Sequence, residues 1–314
     1  MKAVTPDAFS LASSLPLGEV RQWNVSVERQ VGWRTSLTMT YVGSASSHLL
    51  GINNINAPRP GSEPIQVRRP FPAFGEVLES SSFVEGSYHA LQMTADRRFE
   101  RGFALLTTYT WGRAIDNASD PGDTSAAVPP QNPNDLRSET APAIFDLRHR
   151  FVSSATYQSP DAARSLLRGW RLAAVFVSQS GYPLTPTIRP NSAISTTVLR
   201  PDCIGDGNLP RSERSADRWF DVSAFQVPAP FTFGNCGRNV LRGPGYMNVD
   251  LLVGRGFKLR GATLLEIRAE MFNAANAVHL GAPNTVIDVP AQAGRITSTQ
   301  SPARQVQLAG RLMF

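Results

Sequence analysis

The sequence lacks any apolar run long enough for a membrane-spanning helix, which needs about 18 residues or more. Its most apolar segment, residues 166–177, is interrupted by Arg168 and Arg171. Residues 1–16 contain a lysine but no continuous apolar segment, because Pro6 and Asp7 fall where a signal peptide needs its hydrophobic stretch. A bundle of transmembrane helices is therefore excluded, and we expect no signal peptide in this chain.

Charged residues are also scarce. They make up 18% of the 314 residues, below the quarter or so that is usual in soluble domains. The net charge is +6, but the basic residues are scattered and form no stripe interleaved with aromatic residues. Such a stripe is the footprint of a nucleic-acid-binding surface, so we expect no nucleic acid among the partners.

Residues suited to catalysis or metal binding are few as well. The four histidines are dispersed, and Gly43–Ser47 lacks the spacing of a nucleophile elbow. The acidic stretch 116–123 does not match the EF-hand pattern. We therefore predict that the protein is not an enzyme and that it holds no metal and no cofactor.

The sequence has only two cysteines, Cys203 and Cys236, and both lie in surroundings rich in proline and glycine. Two cysteines allow one intramolecular pairing, and a disulfide between them would indicate an oxidising compartment. Two unpaired thiols fit the sequence equally well, so both interpretations stay open.

The sequence is rich in segments where apolar and polar residues alternate with a period of two, which is typical of β-strands. In residues 33–43, for example, Leu37, Met39 and Tyr41 share one side, and Thr38 and Thr40 share the other. The same pattern predicts about nine strands. They lie near residues 23–28, 33–43, 88–99, 102–112, 145–158, 169–180, 247–257, 262–273 and 305–314.

The strands and their connections favour a membrane protein over a soluble sheet. Many of the strands have about ten residues or more, whereas soluble strands average about five or six and a tilted membrane-spanning strand needs about nine to eleven. Short connections, such as 30–32 and 99–102, alternate with long ones, such as 44–86 and 181–246. Transmembrane barrels show this alternation, with short periplasmic turns and long extracellular loops. We predict an all-β fold, a partial antiparallel up-and-down transmembrane β-barrel of about nine strands.

Aromatic residues lie near the ends of the apolar face of these strands. Trp33 and Tyr41 are separated by about eight residues, or roughly 20 Å of height for a strand tilted by about 40°. We interpret Trp33, Tyr41, Trp111 and Trp170 as parts of the aromatic girdles at the two membrane interfaces. The alternative is that they are core residues of a soluble sandwich, and the strand lengths and loop alternation argue against it.

The opposite face of the strands carries charged residues. Glu266, Arg268 and Glu270 lie on one predicted strand, and Arg148 and Arg150 lie on another. In a barrel these side chains face a wet lumen, where charges of opposite sign on neighbouring strands pair. We predict that all five are lumen-facing residues with a scaffolding role, and contact with a substrate is the alternative.

Several stretches together resemble the C-terminal part of a TonB-dependent outer-membrane receptor barrel of the Oar-like type. Matching stretches span nearly all of residues 20–314, and the combination is more specific than any single piece. Among them are TYVGSASSHL (40–49), FDLRHRFVSSATYQ (145–158), RGWRLAAVFVSQSGYPLTP (168–186) and EIRAEMFNAANAVHLGAPN (266–284).

The resemblance implies a barrel of about 22 strands, plugged by an N-terminal domain, that takes up a large or scarce solute with energy supplied through TonB. Residues 20–314 would be the C-terminal portion of that barrel and residues 1–19 a loop remnant. The plug, the TonB box and roughly the first half of the barrel have no counterpart in this sequence, so contact with TonB would require a plug domain absent from this chain.

The partners that the resemblance implies are outer-membrane lipid and lipopolysaccharide, the barrel-assembly machinery and an unknown solute. The implied location is the outer membrane of a Gram-negative cell. An alternative function is that of an envelope structural or adhesion protein that acts through its surface loops.

The terminal segment QVQLAGRLMF (305–314) resembles the β-signal that outer-membrane proteins present to the assembly machinery. The resemblance is carried by Gln307, Gly310, Leu312 and Phe314. It departs from the β-signal pattern at one point. The usual small residue of the pattern falls at position 309, where this chain has alanine, and Gly310 follows one place later. Leu312 and Phe314 would face lipid at the periplasmic rim.

Overall fold

The computed structural model describes residues 5–118, 129–160, 166, 168–189, 199–259 and 263–314. In these ranges the chain is built from β-strands and four short 3₁₀ turns, at Ile65–Arg68, Leu136–Glu139, Arg211–Glu213 and Val222–Ala224. No helix in this part of the chain has the length and apolar character needed to cross a membrane.

The described residues form fifteen strands. Their bounds are β1 Ala8–Leu11, β2 Glu19–Val31, β3 Thr35–Asn54, β4 Val77–Glu100, β5 Phe103–Asp116, β6 Ala141–Pro142, β7 His149–Gln158, β8 Trp170–Gln179, β9 Pro183–Leu184, β10 Asp202–Cys203, β11 Phe225–Gln226, β12 Leu241–Arg242, β13 Tyr246–Lys258, β14 Leu264–Phe272 and β15 Gln305–Met313.

Nine long strands form one antiparallel wall, in the order β15-β14-β13-β8-β7-β5-β4-β3-β2. Each wall strand pairs with the one that precedes it along the chain, so the topology is up-and-down. The all-β, antiparallel prediction is confirmed, and each of the nine predicted strands is found in the wall. The shorter strands β9 to β12 pair with one another in the loop between β8 and β13 and stay off the wall.

The tight turns lie together at one end of the wall. Between β2 and β3, Trp33 and Arg34 have positive φ angles of 58° and 51°. Between β4 and β5, a Cβ on Gly102 would lie 2.1 Å from the carbonyl oxygen of Gln158, and its φ is +82°, so both space and backbone conformation require glycine. The predicted turns 159–168 and 256–261 lie partly outside the described residues, as does the acidic stretch 116–123.

Strands β3 and β4 extend much further than the sequence pattern predicts. The 24 residues of β4 correspond to roughly 80 Å of extended chain, so this hairpin projects well beyond a membrane crossing of about nine to eleven residues. The pattern stops near residue 43 because register shifts follow between Ser46 and Gly51, and each shift moves side chains to the other face.

The N-terminal segment, predicted to be a loop over residues 1–19, contains a short strand. Strand β1 runs parallel to the outer part of β4, with Ala8 opposite Val77. The segment is anchored by the Asp7 carboxylate, which accepts a hydrogen bond of 2.7 Å from the backbone N–H of Glu76. Parallel pairing with a partner so distant in sequence leaves no local signal in a four-residue segment.

The wall is open at both edges. Within the part of the chain that the structure describes, β2 pairs only with β3 and β15 pairs only with β14. The side chains of β2 are exposed along its whole length. The observed fold is therefore a partial barrel with two edge strands.

Candidate functional site

The register of the wall places apolar residues of neighbouring strands on one continuous face. Antiparallel partners project to the same side of a sheet, so a chain of directly opposite pairs traces this face across the wall. One such row is Val27, Met39, Met93, Tyr109 and Phe151, and a second is Ala155, Ala174, Leu251, Met271 and Val306. We call this side the apolar face.

On each strand, the residues that alternate with those of the apolar face project to the other side of the sheet. They form a second continuous surface, which we call the polar face. It carries mainly hydroxyl, amide and charged groups, as in the row Ser26, Thr40, Gln92, Thr110, Arg150 and Gln179. The hydroxyls of Ser26 and Thr40 are hydrogen-bonded at 2.9 Å. Two faces of opposite character over nine strands are what a sheet between lipid and water requires.

The four predicted girdle residues, three tryptophans and one tyrosine, lie on or beside the apolar face. Tyr41 and Trp111 project from β3 and β5, and both are exposed. Trp33 is in the tight turn after β2 and is 79% exposed. Trp170 opens β8 and is covered by the Arg255 guanidinium, 5.2 Å from the ring centroid. Exposed aromatic residues at both ends of the face fit two interface belts.

Four of the five charged residues predicted for the lumen lie on the polar face. On β14, Arg268 lies 3.1 Å from Glu270, and Glu266 lies 3.6 Å from Arg171 of β8. Arg150 projects from β7 between Thr110 and Gln179.

The fifth, Arg148, is not on a strand, because β7 begins at His149 and not at residue 145. Its backbone carbonyl still accepts a hydrogen bond from the Gly112 N–H of β5 at 3.1 Å. Just before it, the buried Asp146 carboxylate accepts hydrogen bonds from the Ala114 N–H and the Arg242 guanidinium at 2.7 and 2.5 Å.

A cavity of about 400 Å³ opens at the end of the wall that carries the tight turns. Gln158, Arg171 and Glu266 contribute to it from the polar face, and the cations Arg168 and Lys258 stand at its rim. The excess of positive charge suits an anionic group or an acidic protein surface. Among the described residues, no cluster of His, Cys, Asp and Glu side chains is suited to a metal ion.

The long connection between β8 and β13 is a folded unit and not an extended loop. Its core contains Phe220, Leu199 and Leu241, each 1% exposed, and Phe225, whose ring meets that of Phe220 edge-on at 5.9 Å. We call residues 199–242 the outer loop unit, since it lies at the end of the wall opposite the tight turns. The alternation pattern of the sequence predicts only a very long loop here.

A buried ion network fixes the outer loop unit to the wall. Glu139 accepts two hydrogen bonds from Arg200, at 2.8 and 2.9 Å, and lies 3.3 Å from Arg238. Arg238 also donates to Asp116 at the end of β5, at 2.6 Å. Burial raises the pKa of Asp116, and the hydrogen bond and charge of Arg238 oppose that shift without cancelling it. The network joins β5, the 3₁₀ turn at Leu136–Glu139 and the outer loop unit.

No residue of this network was singled out from the sequence. Arginines and carboxylates in a long polar loop are normally solvated, and nothing in their spacing marks a pair separated by 61 or 122 residues. The one available signal was the aromatic pair Trp219–Phe220 in the middle of a loop, since adjacent large apolar residues usually pack in a core.

The two cysteines meet within the outer loop unit. Cys203 of β10 and Cys236 are joined by a disulfide that closes a separation of 33 residues. Asn235, next to Cys236, accepts a hydrogen bond from the Cys203 N–H at 2.8 Å. The bond links the two halves of the unit at its core.

The disulfide gives a first testable prediction. Replacing both cysteines with serine is expected to destabilise the outer loop unit by about 3–4 kcal/mol, because a loop of this length gains freedom in the unfolded state. Alkylation followed by mass spectrometry checks the bond itself: without reductant neither cysteine should be modified, and with reductant both should be. Two modified cysteines in the untreated protein would show the thiols to be free.

Comparison with known proteins agrees with this geometry. The family model described as "Outer membrane beta barrel domain" matches residues 2–307. The chain belongs to the outer membrane beta barrel domain family. The wall is therefore part of an outer-membrane barrel.

Several solved structures are similar to the chain at low sequence identity. The outer membrane transporter YddB from Escherichia coli gives a TM-score of 0.55 at 9% identity, over 99% of this chain and 35% of that chain. The ferric-catecholate import receptor Fiu from E. coli K12 gives 0.47 at 11% identity, over 94% and 27%. FpvA from P. aeruginosa, bound to heterologous pyoverdines, gives 0.47 at 7% identity, over 93% and 26%. No curated protein matches the chain.

This member of the family spans about a third of the length of the YddB chain. Its C-terminal strand β15 pairs along its whole length with β14, so Gln307 is opposite Glu270, Gly310 is opposite Ile267 and Leu312 is opposite Leu265. Phe314 follows the strand and is almost fully exposed. Leu312 thus lies on the apolar face and Gln307 on the polar face.

Proposed function

We propose that the chain is the C-terminal portion of a TonB-dependent receptor barrel of the Oar-like type that takes up a large or scarce solute. Residues 20–314 supply part of the barrel wall, and residues 1–19 lead into it from the outer side. The observation that carries the proposal is the wall itself. It is a single antiparallel sheet with one apolar and one polar face, tight turns at one end and a folded loop unit at the other.

In this proposal the apolar face contacts lipid and the polar face lines the lumen. Trp33 and Trp170 stand at the periplasmic interface, and Tyr41 and Trp111 stand toward the outer one. The ion pairs of Arg268 with Glu270 and of Arg171 with Glu266 keep the polar face hydrated and charged without a large net field. Such a surface suits passage of a polar solute.

Closure of the barrel requires strands from outside the wall. Because the wall has nine antiparallel strands, its edge strands β2 and β15 run in the same direction. An all-antiparallel closure therefore needs an odd number of additional strands, and about thirteen would complete a barrel of about 22. An unpaired edge in lipid leaves backbone groups unsatisfied at a cost of several kcal/mol each, so the wall functions as part of a larger barrel.

The C-terminal strand supplies the signal for assembly in this proposal. Leu312 and Phe314 face outward at the periplasmic rim, where the assembly machinery can bind them. Gln307 and Gly310 lie in the strand that this machinery pairs. The partners are thus the assembly machinery, membrane lipid including lipopolysaccharide, an unknown solute and TonB, the last through a plug domain.

The second candidate function is surface adhesion or envelope organisation. The observation that favours it is the outer loop unit, which has its own core, disulfide and ion network. A rigid folded unit suits binding to another surface. In a receptor, the same rigidity holds a solute site above the lumen.

Uptake assays separate the two functions. The gene encoding the chain is deleted, and uptake of labelled ferric chelates and oligosaccharides is compared with that of the parent and of a strain lacking TonB. The receptor proposal predicts that uptake of at least one solute falls about tenfold or more in either mutant. It predicts no further fall when both are combined, and recovery on complementation. Unchanged uptake of every solute with reduced surface attachment would support the adhesion function instead.

A further inference from the structure

The apolar face carries the same tyrosine–histidine pair twice. The hydroxyl of Tyr41 on β3 lies 2.8 Å from Nδ1 of His89 on β4, and the hydroxyl of Tyr109 on β5 lies 2.8 Å from Nδ1 of His149 on β7. In each pair the ring centroids are 6.2 Å apart, and the ring planes differ by 22° and 16°.

The two pairs have the same place in the register. Tyr41 is directly opposite Leu91, and His89 lies two residues before Leu91 on the same strand. Tyr109 is directly opposite Phe151, and His149 again lies two residues before it. The repeat of one diagonal geometry on two separate strand pairs indicates a feature of the surface and not an accident of one loop.

The hydrogen bond leaves one histidine nitrogen for an outside ligand. When the phenol donates to Nδ1, the ring proton of a neutral histidine lies on Nε2. Both histidines are exposed, so in this tautomer Nε2–H is a donor at the surface.

A guanidinium and two indoles complete the cluster. Arg113 is exposed and directly opposite His89, and Trp111 is directly opposite His149. The Trp23 ring lies 6.0 Å from the His89 ring and packs on Gly43, where a Cβ would be 2.3 Å from the indole. Donors for an anion thus stand among aromatic residues that suit acyl chains and sugar rings.

The distance of the cluster from the tight turns indicates which part of the membrane it contacts. His149, Arg113 and His89 lie about nine to eleven residues from the ends of β7, β5 and β4 at the tight turns. That distance is about 23–28 Å of height at roughly 3.3 Å per residue and about 40° tilt, and the apolar band of a barrel is about 25 Å. The donors therefore stand at the outer boundary of the membrane.

We propose that this cluster binds the phosphate groups of lipid A in the outer leaflet. Arg113 supplies the bidentate charged donor that phosphate prefers, and His89 and His149 supply Nε2–H donors on either side. The acyl chains of the same lipid lie along Met39, Met93 and Phe151 below. The inference rests on the proposed orientation of the apolar face toward lipid, but it does not depend on transport.

The test uses the full chain, folded in detergent micelles, and native mass spectrometry of bound lipid. Lipid A with two phosphates should bind with an apparent affinity about tenfold or more above that of dephosphorylated lipid A. The triple variant His89→Gln, Arg113→Gln, His149→Gln should lose that preference. The control variant Arg255→Gln, at the opposite end of the apolar face, should keep it. Inorganic pyrophosphate at equal concentration should not compete, because it has no acyl chains.

Two results would overturn the proposal, and neither depends on the variants being folded. One is equal binding of phosphorylated and dephosphorylated lipid A by the unmodified chain. The other is displacement of lipid A by an equal concentration of pyrophosphate, which would show a simple anion site. Because the readout is bound lipid, failure here leaves the uptake result standing, and failed uptake leaves this one standing.

Discussion

Replacing Met39 with arginine is expected to destabilise the chain in a lipid bilayer by about 2–4 kcal/mol. Met39 is about half exposed near the middle of the apolar face, between Val27 and Met93, so its side chain faces hydrocarbon if that face contacts lipid. A guanidinium there has no carboxylate on the same row with which to pair. Urea unfolding of the chain in phosphatidylcholine vesicles, followed by tryptophan fluorescence, measures the change.

The matched control is Thr38→Arg, which places the same side chain one residue away on the polar face. Thr38 is opposite Glu28 and Thr94, so the new cation meets a carboxylate and water. Its cost should stay within about 1 kcal/mol, since lumen-facing positions tolerate charge. Equal costs for the two variants would show that the two faces do not meet different solvents.

Replacing Glu139 with glutamine is expected to destabilise the outer loop unit by about 3–5 kcal/mol. The carboxylate is buried and is the common partner of Arg200 and Arg238, so its loss leaves two buried cations without their shared anion. Hydrogen exchange should accelerate throughout residues 199–242, and the wall strands should be little affected. Limited proteolysis of the same segment gives an independent measure.

The matched control is Asp217→Asn, which removes the carboxylate of an exposed ion pair in the same unit. Asp217 lies 2.9 Å from Arg295, and both side chains are solvated. Exposed pairs contribute about 1 kcal/mol or less, so exchange rates in the unit should hardly change. If both substitutions had the same small effect, the buried network would not be what holds the unit in place.

The strands of the wall and the division into two faces could be predicted from the sequence. All nine strands were found from alternation alone, and neighbours on the apolar face such as Leu37 and Met39 were assigned to the same side. The same alternation puts the charged residues of β14 on the polar face. Period two is a local property, because the side-chain direction of a strand repeats every second residue whatever the partner.

Local sequence patterns do not predict the parts of the structure that depend on contacts distant in sequence. The pattern predicts a strand from residue 145, but β7 begins at His149, and just before it Asp146 pairs with Arg242, 96 residues away in the sequence. The bulges beyond Ser46 end the alternation, so the pattern predicts a loop where β3 and β4 form a projecting hairpin. Strand β1 was missed because its pairing with β4 is parallel and has no turn signal.

By itself, the sequence determined that this chain forms an antiparallel wall with one apolar and one polar face, and where its turns fall. Only the tertiary structure decided that the outer loop is a folded unit, that Glu139, Arg200, Arg238 and Asp116 form its anchor, and that the tyrosine–histidine pairs repeat. The physical reason is the separation along the sequence of the residues that interact. A strand face is set by residues two positions apart, whereas the anchor joins residues 61 and 122 positions apart, which the chain brings together only when it folds.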